Sequence, residues 1–294
     1  KLQQLLYSRD FENVVQGLEL LDALMEDAQD IYDVFDLDKE TVQTVTDLTD
    51  GLRGSKYKYF IKVWILGRLA EMGEHWSHSV EHLDLEWTKV PFVPESIGYL
   101  TGLLSLNLKY LELGLLPQSL ERLTNLTELF LAWNKLTQIP KSISNLTHLD
   151  EINLNCNQIQ SIPESFCKLT NLVDLHLLRN ALTCLPMQIG NLTKLDELDV
   201  AFNRLSTLPH SFGQLKRLTE LNLESNHISK LPDSFRRLAS LQNLNLRRND
   251  LSGLSNEELE DIFEKISDIT TLRTLTLNQC LLSTLPDSFE GLTQ

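Results

Sequence analysis

An aliphatic anchor recurs every 23 residues through most of this chain: Leu83, Leu106, Leu129, Ile152, Leu175, Leu198, Leu221 and Leu244, with Leu275 following after a step of 31. Nine copies of one template surround these anchors. Around Leu129 the template runs Leu126, Leu129, Leu131, Asn134, Leu136, Ile139, Pro140, Ile143 and Leu146. No copy is long enough to close a core by itself. Its apolar side chains, each contributing roughly 1.5–3 kcal/mol when covered, have only the adjacent copies to pack against, so the copies must stack.

Each template position has a physical task. In Leu172, Leu175 and Leu177 the two-residue spacing puts Leu175 and Leu177 on one face of a short strand, while the residues between them point outward. An Asn returns at 134, 157, 180, 203, 226 and 249, where a buried amide survives only if it is paired with backbone groups of neighbouring turns. Pro94, Pro117, Pro140, Pro163, Pro186, Pro209, Pro232 and Pro286 fix φ and open a short helical or 3₁₀ segment on the outer side. Three residues further on, Ile97, Leu120, Ile143, Phe166, Ile189, Phe212, Phe235 and Phe289 turn back into the core. The strands line up in one parallel sheet, and the bulkier outer segments bend the stack with that sheet on the inside.

These residues resemble the intracellular "LP" class of leucine-rich repeats, found in Ras-suppressor and Scribble-like scaffolds, plant Ras-group proteins and many bacterial repeat proteins. The resemblance spans residues 80–294. It implies an α/β leucine-rich repeat solenoid, a horseshoe with a parallel concave sheet, working as a non-enzymatic, cytoplasmic scaffold or signalling module that binds a protein. By resemblance alone, that protein is a small GTPase or its regulator. Thr88, Leu111 and Cys280 stand at the Asn position, so the ladder is expected to start and end imperfectly.

Residues 1–79 read as an acidic, all-helical N-terminal capping domain ahead of the repeats at 80–294. Phe11, Val14, Val15, Leu18, Leu21, Leu24 and Met25 follow a helical period, Val42, Val45 and Leu48 suggest a shorter helix, and Tyr57 to Met72 repeats the signal. Such a unit would cover the open edge of the first strand. Residues 1–50 hold thirteen acids against three bases, which is most of the net charge of −15. That field repels nucleic acid and anionic membranes and favours a basic partner. The longest apolar run, Tyr59 to Gly67, is too short to span a bilayer and carries Lys62, so no membrane insertion is expected. Four cysteines without CxxC pairing suit a reducing compartment. The chain stops at Gln294 where another copy would continue, which suggests a fragment lacking its C-terminal cap. That reading leaves open a sensing or autoinhibitory arm of a larger enzyme, a GTPase or ligase.

Chemistry is not evident. Gly51, Gly54 and Lys56 are spaced too closely for a phosphate loop. Asp36 and Asp38 lack the Gly and the final Glu of a calcium loop. His75, His78 and His82 lose a common helix face because His82 adjoins the first strand. No catalytic residue, metal or cofactor is expected, and oligomeric state is left open.

What remains is the inner wall, where outward strand positions of successive copies form rows. One row reads His82, Ser105, Glu128, Glu151, Asp174, Glu197, Glu220, Asn243 and Thr274, placing five acids on five neighbouring strands. A second, just before the Asn position, reads Trp87, Tyr110, Trp133, Cys156, Arg179, Phe202, Ser225, Arg248 and Gln279. Phe130 and His176 lie on the strands between the two rows. Exposed aromatics and arginines are the residues that dominate interface energetics. The candidate partner-binding residues are therefore Trp87, Tyr110, Phe130, Trp133, Glu128, Glu151, Asp174, His176, Arg179, Glu197, Phe202 and Glu220. In the last long copy, Ser255 and Glu258 form a capping box that opens a helix carrying Leu259, Ile262, Phe263 and Ile266.

Overall fold

The computed structural model describes residues 58–73, 80–86 and 92–282 together with Glu12, Val14, Gln16, Leu18 and Ser288. Its centre is a single sheet of nine parallel strands arranged in sequence order. The strands are β1 (His82–Asp84), β2 (Ser105–Asn107), β3 (Glu128–Phe130), β4 (Glu151–Asn153), β5 (Asp174–His176), β6 (Glu197–Asp199), β7 (Glu220–Asn222), β8 (Asn243–Asn245) and β9 (Thr274–Thr276). Each has only three residues, because the template permits a pleat only around its anchor. The middle residue is buried from β1 to β8 and partly buried in β9. Register never slips: Leu106 pairs with Leu129, Leu129 with Ile152 and Leu221 with Leu244. A one-residue shift would turn every buried anchor to solvent.

The outer side is built of 3₁₀ segments, Glu95–Tyr99, Gln118–Arg122, Lys141–Asn145, Glu164–Lys168, Ile189–Asn191, His210–Gln214 and Asp233–Arg237. Pro lies immediately ahead of six of these segments and three residues ahead of Ile189–Asn191, never within one. Pro117 sits extended at φ −64 and ψ 144, and its carbonyl accepts the first bond of the segment from the Leu120 N–H at 3.2 Å. The apolar residue three places on is buried in every described copy, and Phe212 stacks on Phe235 with ring centroids 6.2 Å apart.

The Asn ladder forms as its chemistry demands. Asn203 Nδ2 donates to the Leu177 and Val200 carbonyls at 2.9 and 3.0 Å, and its Oδ1 accepts from the Leu182 N–H at 3.0 Å. The pattern repeats from Asn134 to Asn249. At the far end, Cys280 takes the place of the amide and its Sγ donates to the Leu246 carbonyl at 3.1 Å. The thiol supplies only one of the amide's bonds. Where Leu111 and Cys280 replace Asn, the next residues, Glu112 and Leu281, turn left-handed at φ 62 and 56. No residue following an Asn of the ladder does so.

Helix α1 (Lys58–Glu71) falls where the second helical run ahead of the repeats was expected. It is not simply amphipathic, since Ile61, Val63, Trp64, Ile65, Leu66, Leu69 and Ala70 are all buried and thus cover most of its circumference. Val14 and Leu18, both helical, lie in the same core cluster. Gly67 brings α1 against the first 3₁₀ segment so closely that a Cβ there would collide with the Ser96 backbone. Gly98, Gly190 and Gly213 make the same approach to Ser119, Ser211 and Ser234 of the next copies. The helix thus stands in for an outer segment ahead of the first repeat. The rest of the expected helices at 1–57, together with His75, His78, Pro286 and Phe289, lies outside the described residues.

Helix α2 (Asn256–Ser267) accounts for the long step. Ser255 caps it reciprocally with Glu258, and Leu259, Ile262, Phe263 and Ile266 are buried. Lys265 is buried too, with Nζ 2.6 Å from Asp261, 3.1 Å from Asp233 and 3.0 Å from the Leu231 carbonyl. It fastens α2 to the preceding copy. Among the described residues, no helix is long and apolar enough to cross a membrane.

Candidate functional site

The first row of the inner wall is confirmed strand by strand. Glu128 pairs in register with Glu151, Glu151 with Asp174, Asp174 with Glu197, and Glu197 with Glu220. Parallel strands lie about 4.8 Å apart, so these carboxylates succeed one another at nearly that spacing. Burial, more than mutual repulsion, is what raises the pKa of Glu151, Asp174 and Glu197 above the usual carboxylate range. Neighbouring acids push the same way: Asp174 and Glu128 act on Glu151, and Glu220 and Asp174 act on Glu197. His176 opposes all three and lies 3.6 Å from Glu197 through Nδ1. Asp199, beside His176 on β6, is raised as well, again chiefly by burial.

The second row has a backbone property that residue identities alone do not reveal. Tyr110, Trp133, Cys156, Arg179, Phe202, Ser225, Arg248 and Gln279 are all left-handed, with φ between 52 and 62. That conformation costs an L residue about 1–2 kcal/mol, and the register of the stack enforces it. The Trp133 N–H bonds to the Asn155 carbonyl at 2.9 Å, and the Phe202 N–H to Glu224 at 2.7 Å. The left-handed turn sends the next side chain, the ladder Asn, into the interior and leaves its own side chain on the open wall.

The aromatics of this row do not stand free as a bare apolar strip. Trp133 is 49% exposed, and Tyr110 stacks on it with ring centroids 5.4 Å apart and planes 12° from parallel. Phe130 carries Lys109 Nζ at 4.5 Å, and Phe202 carries the Arg179 guanidinium at 5.2 Å. Tyr110, Trp133, Lys109, Arg179 and Phe202 border a groove of about 540 Å³ that is also lined by Ala132, Asn153, Asn155 and Leu178. Cys156 opens into it with its thiol pushed upward by burial. Trp87, the first aromatic of the row, lies outside the described residues. Further along the wall, Arg247 and Arg248 are already engaged, approaching Glu224 at 3.7 and 3.9 Å.

A further regularity marks two residues. At the third strand position, Asp84, Asn107, Asn153, Asp199, Asn222 and Asn245 each accept a bond from the N–H two residues on. Thr276 stands there on β9, and Phe130 and His176 occupy that position on β3 and β5 and do not take part in this bond. There the template's local bond gives way to a side chain presented on the wall. These departures fall on β3 and β5, the strands bearing Glu128 and Asp174. Asp199, Lys109, Cys156 and Asn155, which also belong to this surface, were not among the sequence candidates. The two-residue Asx pattern at the third strand position would have identified Asp199.

Two family models match the chain, described as a leucine-rich repeat region over residues 175–290 and a leucine rich repeat over residues 124–182. No curated protein sequence matches it. Among solved structures it is similar to a leucine-rich repeat protein of Leptospira interrogans, at 25% identity over 78% of each chain with a TM-score of 0.51. It is also similar to internalin C2 of Listeria monocytogenes, at 27% identity over 69% of this chain and 83% of that one, with a TM-score of 0.58. A third similarity is to the PEPR1–AtPEP1 structure, at 27% identity with a TM-score of 0.61, covering 74% of this chain but only 31% of that chain. Nine stacked copies, an unbroken amide ladder from Asn134 to Asn249 and these matches make the chain a member of the leucine-rich repeat proteins.

Proposed function

We propose that the protein is a non-enzymatic recognition module that binds a protein partner on the concave face of the sheet, across β2 to β7. The reading is carried by one observation: a half-exposed Trp133, stacked on Tyr110, borders a groove on the same strands that hold a row of partly buried carboxylates. An isolated chain gains nothing from either feature. The aromatic pair leaves apolar surface in water, and the acids resist ionisation. A partner supplying apolar and cationic groups removes both costs. Leucine-rich repeat proteins commonly serve protein recognition, and PEPR1 was solved with AtPEP1, which fits the same use of the fold. We place the protein in a reducing compartment, a reading supported by four unpaired thiols, Cys156, Cys167, Cys184 and Cys280.

The test is capture of partners by the immobilised chain and by the double variant Trp133→Ala/Glu151→Lys. Capture is expected to fall at least about tenfold, a loss of about 1.4 kcal/mol or more, while the melting temperature stays within about 2 °C. Glu257→Lys on the outer helix α2 serves as a control and should capture normally. Equal capture by the double variant would remove the concave face from the function.

A further inference from the structure

Resting on that reading, we infer that the partner presents a cationic amphipathic α-helix, which lies across the strands between the aromatic wall and the carboxylate row. Three features of the wall select this shape. The first is width. Within each copy the two rows are five residues apart, as from Glu128 to Trp133 or from Glu197 to Phe202, hence at most about 17 Å. Between them Ala132 and Ala201 are buried beneath the surface and Asn153 and Asn155 are short, while Phe130 on β3 and His176 on β5 stand higher. An α-helix with its side chains is about 10–12 Å across and falls within that limit, so that its two flanks can face the two rows.

The second feature is spacing. Carboxylates on successive strands follow at about 4.8 Å, and a helix advances about 5.4 Å per turn. Lys or Arg at i, i+4, i+7 and i+11 therefore stays nearly in step with Glu128, Glu151, Asp174 and Glu197. An extended segment laid in the same direction repeats its side chains every ~6.7 Å and falls out of step after two strands. It also finds no backbone partner, since the N–H and C=O groups of these strands are engaged with their neighbours in the ladder. The third feature is charge. His176 is the one basic side chain among the acids of β4 to β6, so the row as a whole calls for cations. Arg179 is seated on Phe202 in the aromatic row, where its stem extends the apolar wall, and Lys109, seated on Phe130 between the rows, is the one other cation that acts on Glu151. The helix thus turns an apolar flank to Trp133 and Tyr110 and a basic flank to Glu151 and Asp174.

A library of random 16-residue peptides, displayed and panned on the immobilised chain with Trp133→Ala/Glu151→Lys as the counter-selection, tests this. The expected binders carry Lys or Arg at helical spacing opposite Leu, Phe or Trp. They gain helical circular dichroism on binding, and they weaken at least about tenfold when a central Pro is introduced or when salt is raised from about 0.05 to 0.5 M. Enrichment of acidic, uncharged or alternating extended sequences overturns the inference, as does failure to enrich any peptide over the counter-selected background. If the capture experiment above still depends on Trp133 and Glu151 in that event, the concave face stands as the binding site and only the helical occupant falls. Loss of dependence in both experiments removes the site itself.

Discussion

Asn203 shows how much a single side chain carries here. Its amide answers three carbonyls and one N–H that belong to its own turn and the one before it, all inside the core. Truncation leaves the Leu182 N–H without its partner in a place water does not reach, and leaves the Leu177 and Val200 carbonyls with only Asn180 and Asn226 as amide donors. Asn203→Ala is expected to lower stability by about 1–3 kcal/mol, measured by denaturant unfolding. A loss under about 0.5 kcal/mol would show that the ladder is ornamental. The position of this amide was readable in the sequence, because a polar residue recurring among buried leucines has to be paired. The residue before it was harder to read. Nothing in the identities of Trp133, Arg179 or Phe202 announces a positive φ, and bulky side chains argue locally against one. The strain is imposed by inter-copy hydrogen bonds, which no local propensity contains.

At the scale of elements, the strands and the outer segments follow directly from the template, whereas the seating of α1 does not. A helix expected to offer one apolar face is instead buried on most sides, and Gly67 sets its distance from the first 3₁₀ segment. Gly67→Val is expected to clash with the Ser96 backbone and to cost about 1–3 kcal/mol, concentrated in α1. Hydrogen exchange should show α1 amides losing protection while β4 to β7 keep theirs. Uniform loss along the whole array would mean that the helix and the repeats unfold as one unit. The glycine could have been recognised from its likeness to Gly98, Gly190 and Gly213, but only once the helix is known to occupy the place of an outer segment. Helix α2, by contrast, was legible down to its capping box, since Ser255, Glu258 and the apolar stripe are all local signals.

At the scale of the whole molecule, the acid row is a property of the stack and of no single copy. Glu151, Asp174, Glu197 and Asp199 have raised pKa values, so each holds its proton more readily in the folded chain than in the unfolded one. Their contribution to stability therefore declines as pH rises from the ordinary values of 4.5 for Glu and 3.8 for Asp through the raised ones, and the deficit persists above. Glu151→Gln removes one such group. The variant is expected to gain stability relative to the parent across that window and to hold the gain at neutral pH, as read from unfolding midpoints at about pH 4, 5.5 and 7.5. A difference independent of pH would show that Glu151 is not part of a strained row. A cationic partner would relieve the same strain, which ties the pH behaviour to the function proposed.

Periodicity alone determined the solenoid, its nine parallel strands, the buried amides and the alternation of wall and core, because a 23-residue unit with an inner and an outer side can bury itself in only one way. The identities of the two rows were likewise fixed by counting, since register in a stack is inherited from copy to copy. Tertiary structure decided what those rows amount to. It stacked Tyr110 on Trp133, covered Phe130 and Phe202 with Lys109 and Arg179, set His176 among the acids, and made desolvation outweigh repulsion along the carboxylate row. These outcomes depend on side-chain rotamers, left-handed turns and burial across neighbouring copies, which are distances in space that spacing along the chain does not encode.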